Sequence, residues 1–317
     1  MAYQYYINYK DKTEYVKHDN HFLNYPIGSL LFAVTDTEWD ALAEEISDCR
    51  RNLYRMDQVQ QSVASISERF NNTHIFLKRD FERIARSGDV LYAAYYWAMD
   101  YARLKQELCR LISSVLDMDG ENSDMTVLQR YFLLNVTDPE TRRFKQRMHE
   151  QLKVFQCMMC GKDEAELELS RETVSGLSLE AAICYASDDL RTLVFMEFEY
   201  MVTEGYAIRR CDNCGKYFLP FSVVSRYCDR LYSAQKTCKD YAIRERYNQK
   251  LAGNELRALY VKNNNAYQMR VRRAPELYSA EDYNTWKTAA RKALDAEASG
   301  TLTEAACRQL LALPKKK

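Results

Sequence analysis

Four cysteines in the last third of the chain constrain its fold more than any other feature. A Cys-x-x-Cys pair followed by Gly215 lets two thiolates hold one tetrahedral ion from a tight turn, and the glycine supplies the positive φ that such a turn needs. Two single cysteines follow it. The sequence therefore predicts one structural Zn²⁺ bound by Cys211, Cys214, Cys228 and Cys238. The alternative is four buried thiols without a metal.

A catalytic zinc is not predicted, because four thiolates leave no open coordination position and residues 207–274 contain no histidine. The intervening residues predict how the ligands meet. Strands over 216–219 and 226–228 form a hairpin that returns Cys228 to the first pair. Cys238 precedes a predicted helix over 239–251, whose N-terminal amides favour a thiolate. This order is treble-clef-like, with residues 231–237 as a looped insertion.

Three strings carry a resemblance to known proteins: Cys-Asp-Asn-Cys-Gly-Lys-Tyr-Phe from Cys211, Arg-Tyr-Cys ending at Cys228, and Thr-Cys-Lys-Asp around Cys238. From about residue 190 onward the chain resembles a large uncharacterised bacterial family with a C-terminal Cys₄ finger. It is similar, more distantly, to CGNR-type zinc-finger proteins, although the Cys-Gly-Asn-Arg string is absent. The second resemblance implies a helical N-terminal domain and a C-terminal finger that binds DNA.

The charge of the chain is balanced overall but strongly divided along its length. Residues 207–274 hold 15 Lys and Arg against 5 Asp and Glu, whereas residues 1–206 hold 23 against 34. A basic segment of this kind can neutralise phosphates, so the sequence predicts contacts with DNA or RNA. The predicted contacts are Arg209, Arg210, Lys216, Arg226, Arg230, Lys239, Arg244, Arg246 and Lys250. The alternative is a protein-interaction module in which the basic surface meets the acidic domain or a protein partner, and the finger is purely a structural staple.

The composition favours helices, because only 9 Gly and 5 Pro occur in 317 residues. The predicted fold is mainly α: an acidic, mostly helical domain over 1–205, then a basic region over 206–317 with the zinc finger and C-terminal helices. Extended segments are predicted at Tyr3–Tyr9 and 29–34. Helices follow from the apolar periodicity at about 57–85, 89–117, 124–135, 139–158, 188–204 and 255–272, the last interrupted near residues 263–265. A further helix, capped by Ser279 and Asp282, is predicted across Trp286 and Leu294 and is broken at Gly300.

A second Cys-x-x-Cys-Gly, at Cys157 and Cys160, has no partner pair nearby. The neighbouring methionines and Gly161 favour a buried, capped helix end, with a redox or metal role as the alternative. The other thiols fall on apolar helical patterns and are predicted to be core residues: Cys49, Cys109, Cys184 and Cys307. The histidines are scattered, and His18 and His21 are interpreted as surface residues.

Several classes of protein are not predicted. The sequence has no P-loop, dinucleotide-binding loop or nucleophile elbow, and no recognisable acid/base pair, so an enzyme is not expected. Neither a signal peptide nor an apolar run long enough for a bilayer occurs, which predicts a cytoplasmic protein without a membrane partner. Thiols stay reduced in that compartment, so the cysteine cluster indicates a metal before disulfides.

Overall fold

The computed structural model describes residues 3–8, 13–18, 21–52, 55–120, 124–159, 175, 180–233 and 235–314. Only the backbone is described at His18, His21, Met158, Met159, Lys250 and Leu251. The chain divides into two compact units, Met1–Cys228 and Asp229–Lys317. The mainly α fold is confirmed; the domain boundary at residue 205 stays a prediction.

The helices of the first unit are α1 Ser29–Asp36, α2 Trp39–Asn52, α3 Met56–Arg69, α4 Ile75–Ile84, α5 Val90–Val115, α6 Val127–Thr137, α7 Pro139–His149 and α8 Leu190–Thr203. Those of the second unit are α9 Cys238–Ala252, α10 Glu255–Arg273, α11 Ala280–Ala298 and α12 Glu304–Leu311. No helix in the described part of the chain is long and apolar enough to cross a bilayer.

The first unit also contains an antiparallel sheet of β1 Tyr3–Asn8, β2 Glu14–His18, β3 His21–Tyr25, β4 Lys153–Met159 and β5 Glu180–Ser187, in the order β3-β2-β1-β5-β4. Two short ribbons pair β6 Arg209–Arg210 with β7 Tyr217–Phe218, and β8 Leu231–Ser233 with β9 Lys236–Thr237. The sheet face that carries Tyr3, Tyr5 and Ile7 is buried.

Three local predictions are wrong. Residues 29–34, predicted to be extended, form α1, and residues 153–158, predicted to be helical, form the edge strand β4. Pairing with β5, which is distant in sequence, overrides the local helical pattern there. Helix α10 also continues through the asparagine run without interruption, and the side chain of Asn263 donates to the carbonyl of Leu311 at 2.8 Å.

Helices α5 and α8 form the centre of the first unit. Helix α5 begins at the N-cap Asp89, whose side chain accepts from the Tyr92 amide, and its apolar residues recur at helical spacing. The carboxylate of Asp80 is buried against this helix and accepts from Trp97 Nε1 at 2.7 Å and from the Tyr101 hydroxyl at 2.9 Å. Because its oxygens accept hydrogen bonds, the carboxylate of Asp80 can be buried in this aromatic core.

A second buried carboxylate, on Glu197 in α8, caps helix α1 from across the core. Its oxygens accept from the amides of Gly28 and Leu31, both at 2.6 Å, and from the Tyr5 hydroxyl at 3.0 Å. Helix α1 has no side-chain cap of its own, so Glu197 satisfies amides that would otherwise be unpaired. Gly28 has φ +90, and a Cβ there would lie 2.9 Å from the Phe32 ring, so this turn requires glycine.

Glu14 of β2 completes this buried network. Its Oε1 lies 2.6 Å from Nε2 of His74, whose Nδ1 accepts from the Phe76 amide, so Nε2 carries the proton and donates. The other oxygen of Glu14 has no ordinary donor among the described residues and neighbours the carboxyl of Glu197. Two carboxyl groups in contact need one proton between them.

Burial raises the pKa of Glu14 to about 8. Burial, followed by the neighbouring Glu14 carboxyl, raises the pKa of Glu197. Burial also lowers the pKa of His74 to about 4, which keeps its ring neutral. At neutral pH the folded protein therefore holds a carboxyl proton that the unfolded chain releases, because the ordinary pKa of glutamate is 4.5.

The shared proton predicts a loss of stability in mild alkali. Above pH 6.5 the unfolded chain binds fewer protons than the folded one, so the free energy of unfolding falls as pH rises through the pKa of Glu14. The titration of His74 raises the free energy of unfolding as pH rises, but only between pH 4 and 6.5. We expect urea unfolding to show a loss of about 2 kcal/mol between pH 6.5 and 8.5.

In Glu14→Gln the amide mimics the protonated acid and donates to Glu197, so this loss should largely disappear. Glu150→Gln, an exposed change on the same unit, is the control and should keep the wild-type pH profile. An unchanged slope in Glu14→Gln would contradict the shared proton.

Candidate metal centre

The four predicted ligands converge. The Sγ atoms of Cys211, Cys214, Cys228 and Cys238 all lie within 4.8 Å of one another. The Cys214 and Cys228 sulfurs are 3.7 Å apart, close to the edge of about 3.8 Å that a tetrahedron with metal–sulfur bonds of about 2.3 Å requires. All except the half-buried Cys214 are buried. The cluster can therefore coordinate a metal ion.

A tight turn presents the first two thiols. The Cys211 amide donates to the Lys216 carbonyl at 2.9 Å, and the Gly215 amide donates back to the Cys211 carbonyl at 2.8 Å. Gly215 has φ +72, which confirms the predicted left-handed position after the second cysteine. Strands β6 and β7 pair on either side and close the base of the turn.

Cys228 reaches the cluster by a different route from the predicted hairpin. Strand β7 pairs with β6 rather than with residues 226–228, so the predicted pairing is wrong. The returning segment contacts the turn itself: the Asp212 amide donates to the Arg226 carbonyl at 3.0 Å, and the Cys228 amide donates to Cys211 Sγ at 3.4 Å. The Cys228 amide is therefore satisfied by the Cys211 sulfur and not by a neighbouring strand.

Cys238 is the first residue of α9, which begins one residue before the predicted start at Lys239. Thr237 Oγ1 accepts from the Asp240 amide at 3.2 Å, and the Asp240 carboxylate accepts from the Thr237 amide at 3.3 Å, which caps the helix reciprocally. Residues 231–237 are not an open loop as predicted, because β8 and β9 form a small hairpin. The Cys238 amide donates to the Arg230 carbonyl at 2.9 Å.

The cluster has the electrostatics of a thiolate site. Burial alone would raise the pKa of Cys211, but backbone amides of Cys228, Cys214 and Asn213 outweigh it and lower the pKa to about 7. A low thiol pKa favours the deprotonated form that binds a metal. The donor set contains only sulfur, which suits a closed structural site rather than one that binds a substrate.

Several predicted nucleic-acid contacts have partners within the protein. Arg209 is only 12% exposed; it forms an ion pair with Asp119 and donates to the carbonyls of Val223 and Ser225 at 2.9 and 3.0 Å. The guanidinium of Arg226 forms an ion pair with Asp212 at 2.8 Å. Arg209 and Arg226 therefore hold the loop that follows β7.

Arg210 and Lys216 also contact neighbouring groups. The Arg210 guanidinium lies 4.9 Å from the centre of the Tyr217 ring, and Lys216 Nζ donates to the Asp36 carbonyl at 3.4 Å. Both remain exposed, whereas Arg230 is half-buried.

The remaining predicted contacts lie on α9. Lys239, Arg244 and Arg246 are exposed, and Lys250 belongs to the same helix. Among the α9 residues whose side chains are described, only Cys238 and Ala242 are buried. A helix of this length that buries so little leaves most of its surface to solvent or a partner.

None of the other described cysteines belongs to the cluster. Cys157 lies on strand β4 rather than at a helix end, and its Sγ donates to the Ala182 carbonyl at 3.5 Å. Cys160 lies outside the described residues. Cys184 is buried on β5 instead of a helix, whereas Cys49, Cys109 and Cys307 lie on helices as predicted.

The buried acidic groups of the first unit were not predicted from the sequence. The signal was present, because Glu197 and Glu199 interrupt an otherwise apolar run over 193–202. A charged residue in such a run indicates either that the apolar period has been assigned wrongly or that the charged group is buried and hydrogen-bonded. Which residues are its partners could not be read from the sequence, since Tyr5 and Gly28 are far away along the chain.

Comparison with known proteins gives one family match. Residues 178–311 match a family of unknown function, DUF6076, and the matched segment contains α8 and all four clustered cysteines. This agrees with the predicted resemblance to an uncharacterised family, while the resemblance to CGNR-type proteins stays a prediction. No curated protein matches the chain, and no solved structure matches it.

Loss of one ligand should abolish metal binding. In Cys211→Ser the closed shell loses a thiolate, and we expect metal content, measured by plasma mass spectrometry, to fall from about one ion per chain to near zero. Limited proteolysis should then cut within residues 206–252. Cys49→Ser, which alters a thiol outside the cluster, should keep the metal. Equal metal content in both variants would exclude the cluster as the site.

Proposed function

We propose that the cysteine cluster holds one structural Zn²⁺ and that helix α9, which begins at a zinc ligand, binds nucleic-acid phosphates. Zinc is the metal that suits a four-thiolate tetrahedral site best, because it accepts this geometry without redox chemistry. Bound to four thiolates it would leave a net negative site, which the nearby amides and arginines offset.

The single observation that carries the nucleic-acid proposal is the exposure of α9. Lys239, Arg246 and Lys250 recur at spacings of seven and four, so they fall on one face of the helix. Lys239 and Arg246 are exposed, and Tyr247 between these positions is 47% exposed. A basic row with an adjacent aromatic ring suits phosphate contacts and stacking.

The proposal assigns different roles to the predicted basic residues. Arg209, whose side chain is only 12% exposed, supports the fold of the loop, whereas the exposed Lys239 and Arg246 contact phosphates. Phosphate contacts carry no base readout, so the proposed binding is sequence-independent.

The test is the salt dependence of binding. A labelled generic DNA duplex and a single-stranded RNA of equal length are titrated with the zinc-loaded full chain, and fluorescence anisotropy is measured as salt is raised. Affinity should fall steeply. The double variant Lys239→Gln/Arg246→Gln should lower the slope of log affinity against log salt by about 2.

The control variant removes the same charge elsewhere. Arg147→Gln/Lys292→Gln alters exposed basic residues outside residues 207–274 and should leave the slope unchanged. Binding that is absent even at low salt, or equal slopes for both double variants, would refute nucleic-acid binding.

A protein-interaction module is the second candidate, and one observation favours it. The loop after β7 exposes three large apolar side chains: Phe221 fully, Val223 to 74% and Val224 to 79%. Such a cluster is typical of protein contacts. This alternative predicts no salt-dependent affinity for either nucleic acid, so the same titration separates the two functions.

A further inference from the structure

The solvent-facing side of α6 is apolar. Leu128, Phe132 and Val136 recur at spacings of four, so they form one row along the helix, and they are 54%, 72% and 55% exposed. Leu133 lies beside this row and is 40% exposed. All of α6 is described, and none of its exposed residues carries a charge. A surface helix normally presents charged side chains to water, and α6 does not.

The opposite side of α6 is already buried. Val127 and Arg130 are buried, and Tyr131 and Leu134 pack against the core of the first unit. The helix is therefore apolar on two sides, which is typical of a helix that is covered all round. The exposed row indicates a partner that covers the second side.

The row reads nearly the same in both directions. Phe132 lies at its middle, with Leu128 one turn before it and Val136 one turn after it. If a second copy is laid antiparallel, the Phe132 rings meet at the centre and each Leu128 faces Val136 of the other copy. Two-fold interfaces require this self-complementarity, and rows at a spacing of four can interdigitate between helices.

The charges at the two ends of α6 favour the antiparallel orientation. Asp124 is exposed just before the N-terminus of the helix, and at the C-terminus Nη1 of Arg142 donates to the Val136 carbonyl at 2.8 Å. Neither charge has an ion-pair partner in the part of the chain that the structure describes. The exposed Glu140 and Arg143 are three residues apart on α7 and offset each other.

The area of the row also fits a dimer. At their exposed fractions, the four apolar side chains present roughly 450 Å² to water. A stable interface buries about 800 Å² per partner, of which about 57% is apolar. The row therefore supplies about the apolar area that such an interface needs.

We propose that α6 is a dimer interface, on which the α6 helix of a second copy of the chain lies antiparallel about a two-fold axis beside Phe132. The apolar row forms the centre of the interface, and Asp124 of each copy faces Arg142 of the other.

The first test is the mass of the full chain in solution, measured by sedimentation velocity as concentration is raised. We expect a change from one chain to two with a Kd of about 10 µM or lower. Phe132→Lys places two ammonium groups at the axis and should raise this Kd at least about 100-fold. Phe132 is exposed, so thermal unfolding should change little.

The matched control is Phe221→Lys, the same change at a fully exposed phenylalanine outside α6, which should leave the Kd unchanged. A wild-type chain that stays monomeric at about 100 µM, or equal effects of the two lysine variants, would overturn the proposal.

The second test is a charge exchange between copies. Asp124→Arg and Arg142→Glu each place like charges opposite one another in a homodimer, and each should weaken association about tenfold. An equimolar mixture of the two variants should recover the wild-type affinity, because every end contact of the mixed dimer then joins opposite charges. A mixture that associates no better than the separate variants would rule out the antiparallel interface.

Discussion

The buried carboxyl groups of Glu14 and Glu197 form the network on which the first unit depends. Glu197 caps the N-terminus of α1, and Glu14 binds the histidine that caps α4, so one acidic pair joins the sheet, two helix starts and α8. Two charged carboxylates could not be buried together, because each would lack solvation and repel the other. The neutral His74 ring and the Tyr5 hydroxyl contact this pair, and burial raises the pKa of both carboxyl groups. Folding, helix capping and protonation are therefore coupled in this network.

The cysteine cluster lies in a part of the chain with a small apolar core. The chain after Cys228 has little apolar surface to bury: β8 and β9 are two or three residues long, and α9 buries only Cys238 and Ala242 among its described side chains. A core of that size cannot offset the conformational entropy of ordering the chain. Metal–thiolate bonds can supply the missing free energy, and they leave the helix surface available for a partner. This is why a structural metal and an exposed basic helix are compatible in one short segment.

The basic residues divide into two groups by their neighbours, which changes how the charge of the segment is understood. Arg209 forms an ion pair with Asp119, is only 12% exposed and holds a loop, so its charge is largely used within the fold. Arg226 forms an ion pair with Asp212, but its side chain stays 61% exposed. Lys239 and Arg244 are exposed on a helix that buries little. A count of charges along the sequence does not distinguish the buried basic residues from the exposed ones.

The sequence by itself determined the helical class and which four cysteines form the cluster. Both depend on short-range relations: apolar residues at helical spacing in α5, and a Cys-x-x-Cys turn whose Gly215 takes a positive φ. Tertiary structure alone decided the rest. Residues 153–158 form a strand because β5 pairs with them, and residues 226–228 leave the predicted hairpin because Cys211 Sγ accepts the Cys228 amide. The partners of Glu197 lie more than a hundred residues away, and hydrogen bonds across such separations leave no periodic trace in the sequence.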